Sequence, residues 1–237
     1  MIGLGMGLGF QQHLPSSQLN AFQSQIVATQ PSDMIIYLPL DGDLTDLSPN
    51  NFGDANSTAI SFVLGGVLGT QRASLATPGT SIINTGASSI ALFNANNGGV
   101  QGTLYGVFEM DWLGVTADNF CTIFSDINNF INSRKTNIAN RGLFQHAAGG
   151  ITRNITYSTL PNSGTVHICQ TWDKNVNEYK LFIDGINVTT LGGLGIWTGT
   201  VVDIILFSGL LSFLVDNLAI WSIALTPTQI SDIYGAA

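Results

Sequence analysis

Two acidic side chains, Glu109 and Asp111, stand two residues apart in the segment FEMDWLG and are the first candidates for chemistry. In a β-strand, residues i and i+2 point to the same face of the sheet. Retaining glycosidases work with two carboxyl groups about 5 Å apart, one serving as nucleophile and the other as acid and base. The spacing therefore fits part of a hydrolytic site. The only other glutamate of the chain, Glu178, falls in a predicted turn.

The other residue patterns that could form a catalytic site are less well supported by the sequence. The three histidines, His13, His146 and His167, lack the spacing of metal ligands, and no HExxH pattern occurs. Cys169 follows His167 by two residues, which is the ordinary relation of neighbours on one face of a strand and does not indicate a Cys/His catalytic pair. Neither a G-x-S-x-G elbow nor a phosphate-binding loop is found. The sequence therefore predicts a non-enzymatic protein, with no catalytic, cofactor-binding or metal-binding residues assigned.

Charge excludes a general affinity for nucleic acids. Only 9% of the 237 residues are charged, the net charge is −8, and no Lys or Arg occurs before Arg72. Binding to nucleic acid requires a basic footprint that displaces counterions. Four cations lie closer together, at Arg134, Lys135, Arg141 and Arg153. They leave open a local basic loop, but a solvated hairpin is the simpler interpretation.

Neither a disulfide nor a membrane span is needed. The two cysteines, Cys121 and Cys169, lie in apolar, strand-like segments where a thiol behaves as a small hydrophobe, so a bridge between them is possible but not required. The most apolar stretch, residues 201–221, is interrupted by Asp203, Gly209 and Asp216. It predicts two buried strands and a turn rather than a transmembrane helix.

From residue 33 onward the apolar residues alternate with period two, which is typical of strands. Strands are predicted over residues 34–40, 59–64, 81–85, 89–93, 103–113, 121–125, 142–146, 152–157, 166–172, 179–183, 201–207 and 214–221. One helix is well indicated, at the C-terminus, where Thr226 and Gln229 form a capping box around Pro227 and Gly235 ends the helix. This pattern predicts an all-β fold, a two-sheet antiparallel jelly-roll sandwich with a short C-terminal helix.

The first residues, MIGLGMGLG, alternate large apolar side chains with glycine. Such an extended arm cannot stay ordered alone, because ordering so many glycines costs conformational entropy. It predicts either a segment that docks on a partner surface or a frayed terminus. No basic residue precedes the apolar stretch, so a signal peptide is not expected. The predicted division is an arm and linker over residues 1–32, with a short helix around 17–26, and a jelly-roll domain over residues 33–237.

Three segments in order resemble the laminin-G/pentraxin-like branch of the concanavalin A-like lectin and glucanase superfamily. They are YLPLDGDLTDLSPNN at residues 37–51, HICQTWDKNVNEYKLFIDGINV at 167–188 and FLVDNLAIWSIALTPTQISDIY at 213–234. The resemblance implies an opening strand with an acidic turn, a central strand pair, and a closing strand followed by a helix. The Asp184-Gly185 pair agrees with a tight hairpin turn inside the second segment.

The same resemblance bears on catalysis and on metal binding. Glucanases of the superfamily carry Glu-x-Asp-x-x-Glu on one strand, and this chain lacks the third carboxylate, having Leu113 and Gly114 at that place. Some relatives bind calcium in loops. The candidate calcium ligands are Asp41, Asp43, Asp46 and Asp216. Calcium prefers several oxygen ligands, but an acidic turn that uses its carboxylates for local hydrogen bonds is the more economical interpretation.

Two functions follow as expectations. The first is a bacteriophage virion protein (a capsid-decoration, fibre or tail-associated subunit) whose arm docks to other virion proteins, in a homo-oligomer located in the virion. The alternative is a secreted or surface lectin module that binds a surface glycan and is extracellular. Trp112, Trp197 and Tyr157 are candidates for a sugar site, although each is expected to pack in the core. Trp172 and Trp221 are expected to be core residues.

Overall fold

The computed structural model describes residues 19–64, 71–77, 79–208 and 210–237, so the glycine-alternating arm lies outside the described residues. The strands are β1 Met34–Leu38, β2 Asn56–Thr58, β3 Ser61–Leu64, β4 Gln71–Leu75, β5 Ser81–Asn84, β6 Gln101–Met110, β7 Asp118–Asp126, β8 Asn129–Lys135, β9 Gly142–Ala148, β10 Ile151–Tyr157, β11 Thr165–Asp173, β12 Glu178–Ile183, β13 Ile186–Leu191, β14 Asp203–Ser208 and β15 Phe213–Trp221. The α-helices are α1 Ala21–Ala28, α2 Ala87–Ala95 and α3 Pro227–Gly235.

The strands form two sheets with antiparallel pairing. Sheet A has the order β13-β12-β11-β6-β15-β4-β3, with β1 also paired to β15, and sheet B has the order β10-β9-β8-β7-β14-β5-β2. The apolar residues that alternate along the strands meet between the two sheets in one buried cluster. The predicted class, a two-sheet antiparallel sandwich of the jelly-roll kind with a short C-terminal helix, is confirmed.

One long strand, β15, joins both ends of the chain to the middle of sheet A. It pairs with β6 along its whole length. On its other edge Val215 pairs with Ala73 of β4, while Leu218 pairs with Leu38 of β1. Between these two positions the pairing of β15 with β6 shifts its register, at Asn217, which has a positive φ of 66°. This break lets two separate strands share one edge of β15.

The β12–β13 hairpin follows the sequence pattern closely. Tyr179, Leu181 and Ile183 point into the core between the sheets. Asp184 and Gly185 both have positive φ, 50° and 75°. Two consecutive residues in this region are what a type I′ hairpin turn requires, and Asp-Gly is a favoured pair for it.

A second buried cluster lies on the outer face of sheet A, under α1 and α3. Phe22 and Ile26 of α1 join Ile230 and Ile233 of α3 against the sheet, and the Trp221 Nε1 donates a hydrogen bond to the Thr29 carbonyl over 2.8 Å. Helix α1 is therefore part of the packed domain. Its residues lie before residue 33, where the sequence pattern predicts the start of the jelly-roll domain, and that boundary stays a prediction.

Helix α3 forms as its capping signals predict. The Gln229 amide donates to the Thr226 hydroxyl at 3.3 Å, and the Thr226 amide donates to the Gln229 side chain at 2.8 Å. The prediction of a strand at residues 89–93 is wrong, because this segment lies in α2. Alanines at 87, 91 and 95 favour a helix, and the Asp54 carboxylate accepts a hydrogen bond from the Ser88 amide at 2.7 Å in its first turn.

The cysteines are free and buried, so the possible disulfide is not formed. Cys121 lies in the core between the sheets, whereas Cys169 lies in the cluster under the helices. Burial raises the pKa of the Cys121 thiol to about 12 and raises that of Cys169 as well. Both thiols are therefore kept protonated and unreactive in the fold. No helix in the described parts of the chain is long and apolar enough to cross a membrane.

Candidate functional site

A cavity of about 390 Å³ opens on the outer face of sheet A, beyond the area that α1 and α3 cover. A cross-strand row forms part of it, since Thr165 of β11, Leu214 of β15 and Glu109 of β6 lie side by side, and Ser74 of β4 follows Leu214. The cavity is lined by Ser74, Glu109, Met110, Asp111, Ser163, Gly164, Ser212, Phe213 and Leu214. Its size falls within the range of small-molecule sites, roughly 300–1,000 Å³.

Glu109 and Asp111, predicted to share a sheet face, do line this one cavity. Glu109 is held by an ion pair with Arg72, and the Thr165 hydroxyl donates to the same carboxylate oxygen, Oε2, at 3.4 Å. Asp111 follows the end of β6 and accepts a hydrogen bond from the Gly114 amide at 3.0 Å. No third carboxylate is among the lining residues described. The two carboxylates are thus tied to structural partners at the edges of a cavity that is suited to binding.

The acidic turn after β1 is organised around Asp46. Its carboxylate accepts hydrogen bonds from the backbone amides of Tyr37, Ser48 and Phe52 at 2.9–3.0 Å, and from the Ser48 hydroxyl at 3.0 Å. Burial raises the pKa of Asp46 in spite of these bonds.

The other three candidate calcium ligands also have local partners. Asp41 accepts from the Gln71 amide at 2.8 Å, Asp43 from the Thr45 amide at 2.9 Å, and Asp216 from the Asn217 side chain at 2.8 Å. Among the described residues, no group of three or more His, Cys, Asp and Glu side chains is arranged to hold a metal ion. The geometry therefore favours the hydrogen-bonded turn over a calcium site.

Sheet B carries a row of polar side chains on its outer face. Direct cross-strand pairing aligns one residue from each of the seven strands. The row is Asn56, Asn84, Ile205, Thr122, Asn132, Gln145 and Asn154. Five of these seven residues carry side-chain amides, and we call this set the amide row.

The centre of the amide row is a hydrogen-bonded ladder. The Thr122 hydroxyl donates to Asn132 at 3.1 Å, the Asn132 amide to Gln145 at 3.3 Å, and the Gln145 amide to Asn154 at 2.9 Å. Exposure increases along the ladder, because Asn132 is buried, Gln145 is half-buried and Asn154 is exposed. The ladder is thus held in a fixed geometry while its outer end faces solvent.

Aromatic and cationic groups flank the amide row on the same face. Phe124 and Phe130 form a cross-strand pair on one side and are half-buried. Arg134 pairs with Leu143 on the other side and is exposed. The surface therefore combines amides, aromatic rings and the guanidinium group of Arg134.

The aromatic residues predicted as alternatives for a sugar site lie elsewhere. Trp112 is fully buried, and Trp197 and Tyr157 are half-buried against the core, as expected. Trp172 and Trp221 are core residues, also as expected.

Lys135 is set apart from the other three cations by its burial. Lys135 is buried, and its ammonium donates to the backbone carbonyls of Gly114, Thr136 and Ile138 at 2.6, 2.9 and 3.0 Å. Its neighbour Arg134 points to the opposite face of β8. Arg134 and Arg141 line a common cavity of about 350 Å³, and the local basic loop that the sequence leaves open stays a prediction.

The two described histidines are both buried and electrically neutral at pH 7. Burial lowers the pKa of His146 to about 4, and that of His167 to about 4. The His167 ring nitrogen Nδ1 lies 2.5 Å from the Tyr105 hydroxyl. Both ring nitrogens of His146 lack a hydrogen-bond partner in the described chain. Neither histidine is placed to act on a ligand in solution.

Sequence reasoning missed the amide row. Its signal was a polar residue in the middle of otherwise alternating strands, such as Asn132 in FINSR and Gln145 in FQH. Only the pairing register of seven strands shows that these residues are neighbours.

No family model matches this chain, and no curated protein matches it. Solved structures do. The botulinum neurotoxin serotype D binding domain matches with a TM-score of 0.64 and 14% identity over 86% of this chain. The botulinum neurotoxin type G receptor binding domain gives 0.67 and 12% over 86%. The binding domain of botulinum neurotoxin DC in complex with SialylT gives 0.66 and 14% over 87%.

The chain spans about half the length of these structures, namely 52%, 51% and 52%. At such low identity the likeness concerns the fold alone. The sandwich seen here is therefore a known, jelly-roll-like architecture that occurs within proteins described as binding domains. Membership of the concanavalin A-like superfamily and an origin in a bacteriophage stay predictions.

Proposed function

We propose that this domain is a non-catalytic glycan-binding module and that the amide row of sheet B is its contact surface. The observation that carries the proposal is the alignment of amide side chains across the strands of one sheet face, beside Phe124 and Phe130. Side-chain amides offer both donors and acceptors, which sugar hydroxyls match. Aromatic rings provide an apolar surface for the C–H faces of sugars.

The dimensions and the charge favour an extended, neutral glycan. Strands in a sheet lie about 4.8 Å apart, so seven strands span about 29 Å from first to last. The seven residues of the amide row carry no formal charge, and the whole chain has a net charge of −8. A polyanionic ligand would be repelled at long range, whereas a neutral polysaccharide meets no such penalty.

The structural neighbours add support at the level of class. They are binding domains, one of them in complex with SialylT and another in complex with rat synaptotagmin II. A binding role without chemistry is consistent with the pairing of Glu109 to Arg72.

The test compares polysaccharide retention by variants of the row. We expect the wild-type chain to be retarded in native gels that contain a neutral polysaccharide, tried as a panel of glucans, mannans and galactans. The double variant Gln145→Ala/Asn154→Ala should lose at least ten-fold in affinity. Asn187→Ala, an exposed amide on β13 of sheet A, serves as the matched control and should bind as the wild type does. Equal retardation of all three proteins, or no retardation of the wild type by any polymer, would contradict the proposal.

A virion role is the second candidate, and the position of α1 favours it. Helix α1 lies on the outer face of sheet A, opposite to the amide row. Leu19, just before α1, packs in the cluster on this same face, so the described chain begins on the side away from the glycan surface. This position suits a subunit that docks to other virion proteins through its N-terminal arm. If the arm docks to other virion proteins, we propose that the protein is a homo-oligomeric virion subunit. If it does not, we propose an extracellular lectin. In both cases we expect neither nucleic acid nor a membrane as partner.

A variant that begins at residue 19 keeps every described residue of both buried clusters. Both buried clusters lie within the described residues from 19 onward. Light scattering should show an oligomer for the full chain and a smaller species for residues 19–237. If both are the same monomer, the docking arm is excluded as the source of assembly.

A further inference from the structure

We propose that the cavity on sheet A is a second saccharide site, which takes a single neutral sugar unit independently of the amide row. This inference rests on the proposed function in one respect, namely that the ligand is a sugar. Its residues, its location and its expected ligand size are separate.

Ser74 presents a hydroxyl to the cavity. The residue is 7% exposed and lines the cavity. Its hydroxyl oxygen is not among the buried atoms of the described chain that lack a partner, so it is open to the cavity. A hydroxyl at the wall of a cavity can both donate a hydrogen bond to a ligand and accept one from it. A ligand hydroxyl in the cavity would be a partner for either bond.

The residues next to Ser74 match the amphipathic surface of a pyranose. Leu214 lies between Ser74 and Glu109 in the cross-strand row, so an apolar side chain is flanked by a hydroxyl and a carboxylate. Arg72 and Thr165 both contact Oε2 of Glu109. The other oxygen, Oε1, has no hydrogen bond to the described residues and can accept one from a sugar hydroxyl. Ser163 and Ser212 add hydroxyls at the exposed rim.

The charges around the cavity balance, which favours a neutral ligand over an amine. Arg72 pairs with Glu109. Asp111 interacts with the buried Lys135, whose pKa burial lowers while the Asp111 charge acts in the opposite direction. Two carboxylates thus face two cations, and an organic cation would gain little net attraction.

The two proposed sites lie on different sheets of the sandwich and share no residues. One domain could therefore hold a terminal sugar of one chain and an extended segment of another. This arrangement would give a single domain two independent glycan contacts, with the avidity that two linked sites provide.

The test is saturation-transfer NMR on the full-length protein with methyl glycosides of glucose, galactose, mannose and N-acetylglucosamine as probes. We expect at least one glycoside to receive saturation from the wild type. Ser74→Ala should weaken that binding at least ten-fold, and Leu214→Trp, which fills the cavity, should abolish it. Ile186→Trp, an equally large change at an exposed position on β13, is the matched control and should bind as the wild type does.

The outcomes separate this inference from the proposed function. It is overturned if no glycoside is saturated, if Ser74→Ala binds as the wild type does, or if methyl esters of lysine and arginine displace the sugar. Retention by polysaccharide that depends on Gln145 and Asn154 would in those cases still support the amide row. Conversely, glycoside binding that Leu214→Trp abolishes, with polysaccharide retention absent, would support the cavity and contradict the amide row.

Discussion

Replacing His146 by leucine should make the protein more stable, and the gain should grow as the pH falls. The imidazole is 1% exposed and lies between the rings of Trp172, Tyr179 and Trp197, at centroid distances of 6.4, 5.7 and 6.3 Å. Neither ring nitrogen has a hydrogen-bond partner in the described chain. Burial is the main cause of its low pKa, and the charge of Lys174 adds to it.

The magnitude follows from proton linkage. The pKa of His146 is about 4 in the fold against 6.5 for a free imidazole. Because the folded-state pKa is lowered, the full stability is present above pH 6.5 and is lost as the pH falls towards 4. The unfolded chain takes up a proton in this window and the folded chain does not, which costs about 1.4 kcal/mol per pH unit and about 3 kcal/mol in all. At pH 7 the leucine removes an unsatisfied polar group, worth about 1 kcal/mol or more.

Urea unfolding followed by tryptophan fluorescence at pH 7.0 and pH 4.5 measures both effects. We expect His146→Leu to exceed the wild type by about 1 kcal/mol at pH 7.0 and by about 4 kcal/mol at pH 4.5. The control is Gln145→Leu, because Gln145 is adjacent to His146 on β9 but faces outward. The stability of this variant should depend on pH as that of the wild type does. His167, whose pKa is also about 4, stays in both variants. The reasoning is refuted if His146→Leu is less stable at pH 7.0 or if its loss on acidification equals that of the wild type.

Two further substitutions test the buried charges. Lys135→Met removes an ammonium that binds three carbonyls, and we expect the free energy of unfolding in urea to fall by about 3 kcal/mol. The control is Arg134→Met, at an exposed position, which should change the free energy of unfolding by less than about 0.5 kcal/mol. Similar losses in the two variants would mean that the ammonium is not structural. Asp46→Ala should cost about 3 kcal/mol because three backbone amides lose their acceptor, and neither calcium nor a chelator should shift the melting temperature of the wild type. A calcium-dependent rise that Asp46→Ala abolishes would restore the metal site.

Sequence reasoning recovered what local patterns determine. The capping box of Thr226 and Gln229 fixed the final helix, and Asp184-Gly185 fixed the β12–β13 turn, because each depends on neighbouring residues alone. It placed β3 at residues 59–64 but missed β2, β4, β8 and β13. Strand β2 is exposed throughout, and β13 is largely exposed, so neither shows the alternation of a half-buried strand. Residues 89–93 alternate over too short a span to distinguish a strand from the helix that forms.

The candidate sites divide in the same way. That Glu109 and Asp111 lie close together followed from strand geometry, and both line one cavity, although β6 ends at Met110 and Asp111 lies beyond it. The ion pair that gives Glu109 a structural role could not be foreseen from the sequence, because Arg72 lies on β4, 37 residues earlier in the chain. Likewise, no local signal shows that Ser74 opens into a cavity or that Asn132 lies beside Gln145, since both relations depend on which strands pair.

The shared edge of β15 sets the order of events during biosynthesis. Met34 finds its strand partner only at Trp221, and Ala73 finds its partner at Val215. While the ribosome is still translating the last strand, β1 and β4 have no partner along that edge, and their apolar residues stay exposed to other nascent chains. Folds dominated by such distant pairings form slowly and are open to aggregation meanwhile. Expression at low temperature or with a co-expressed chaperone should therefore raise the yield of this domain.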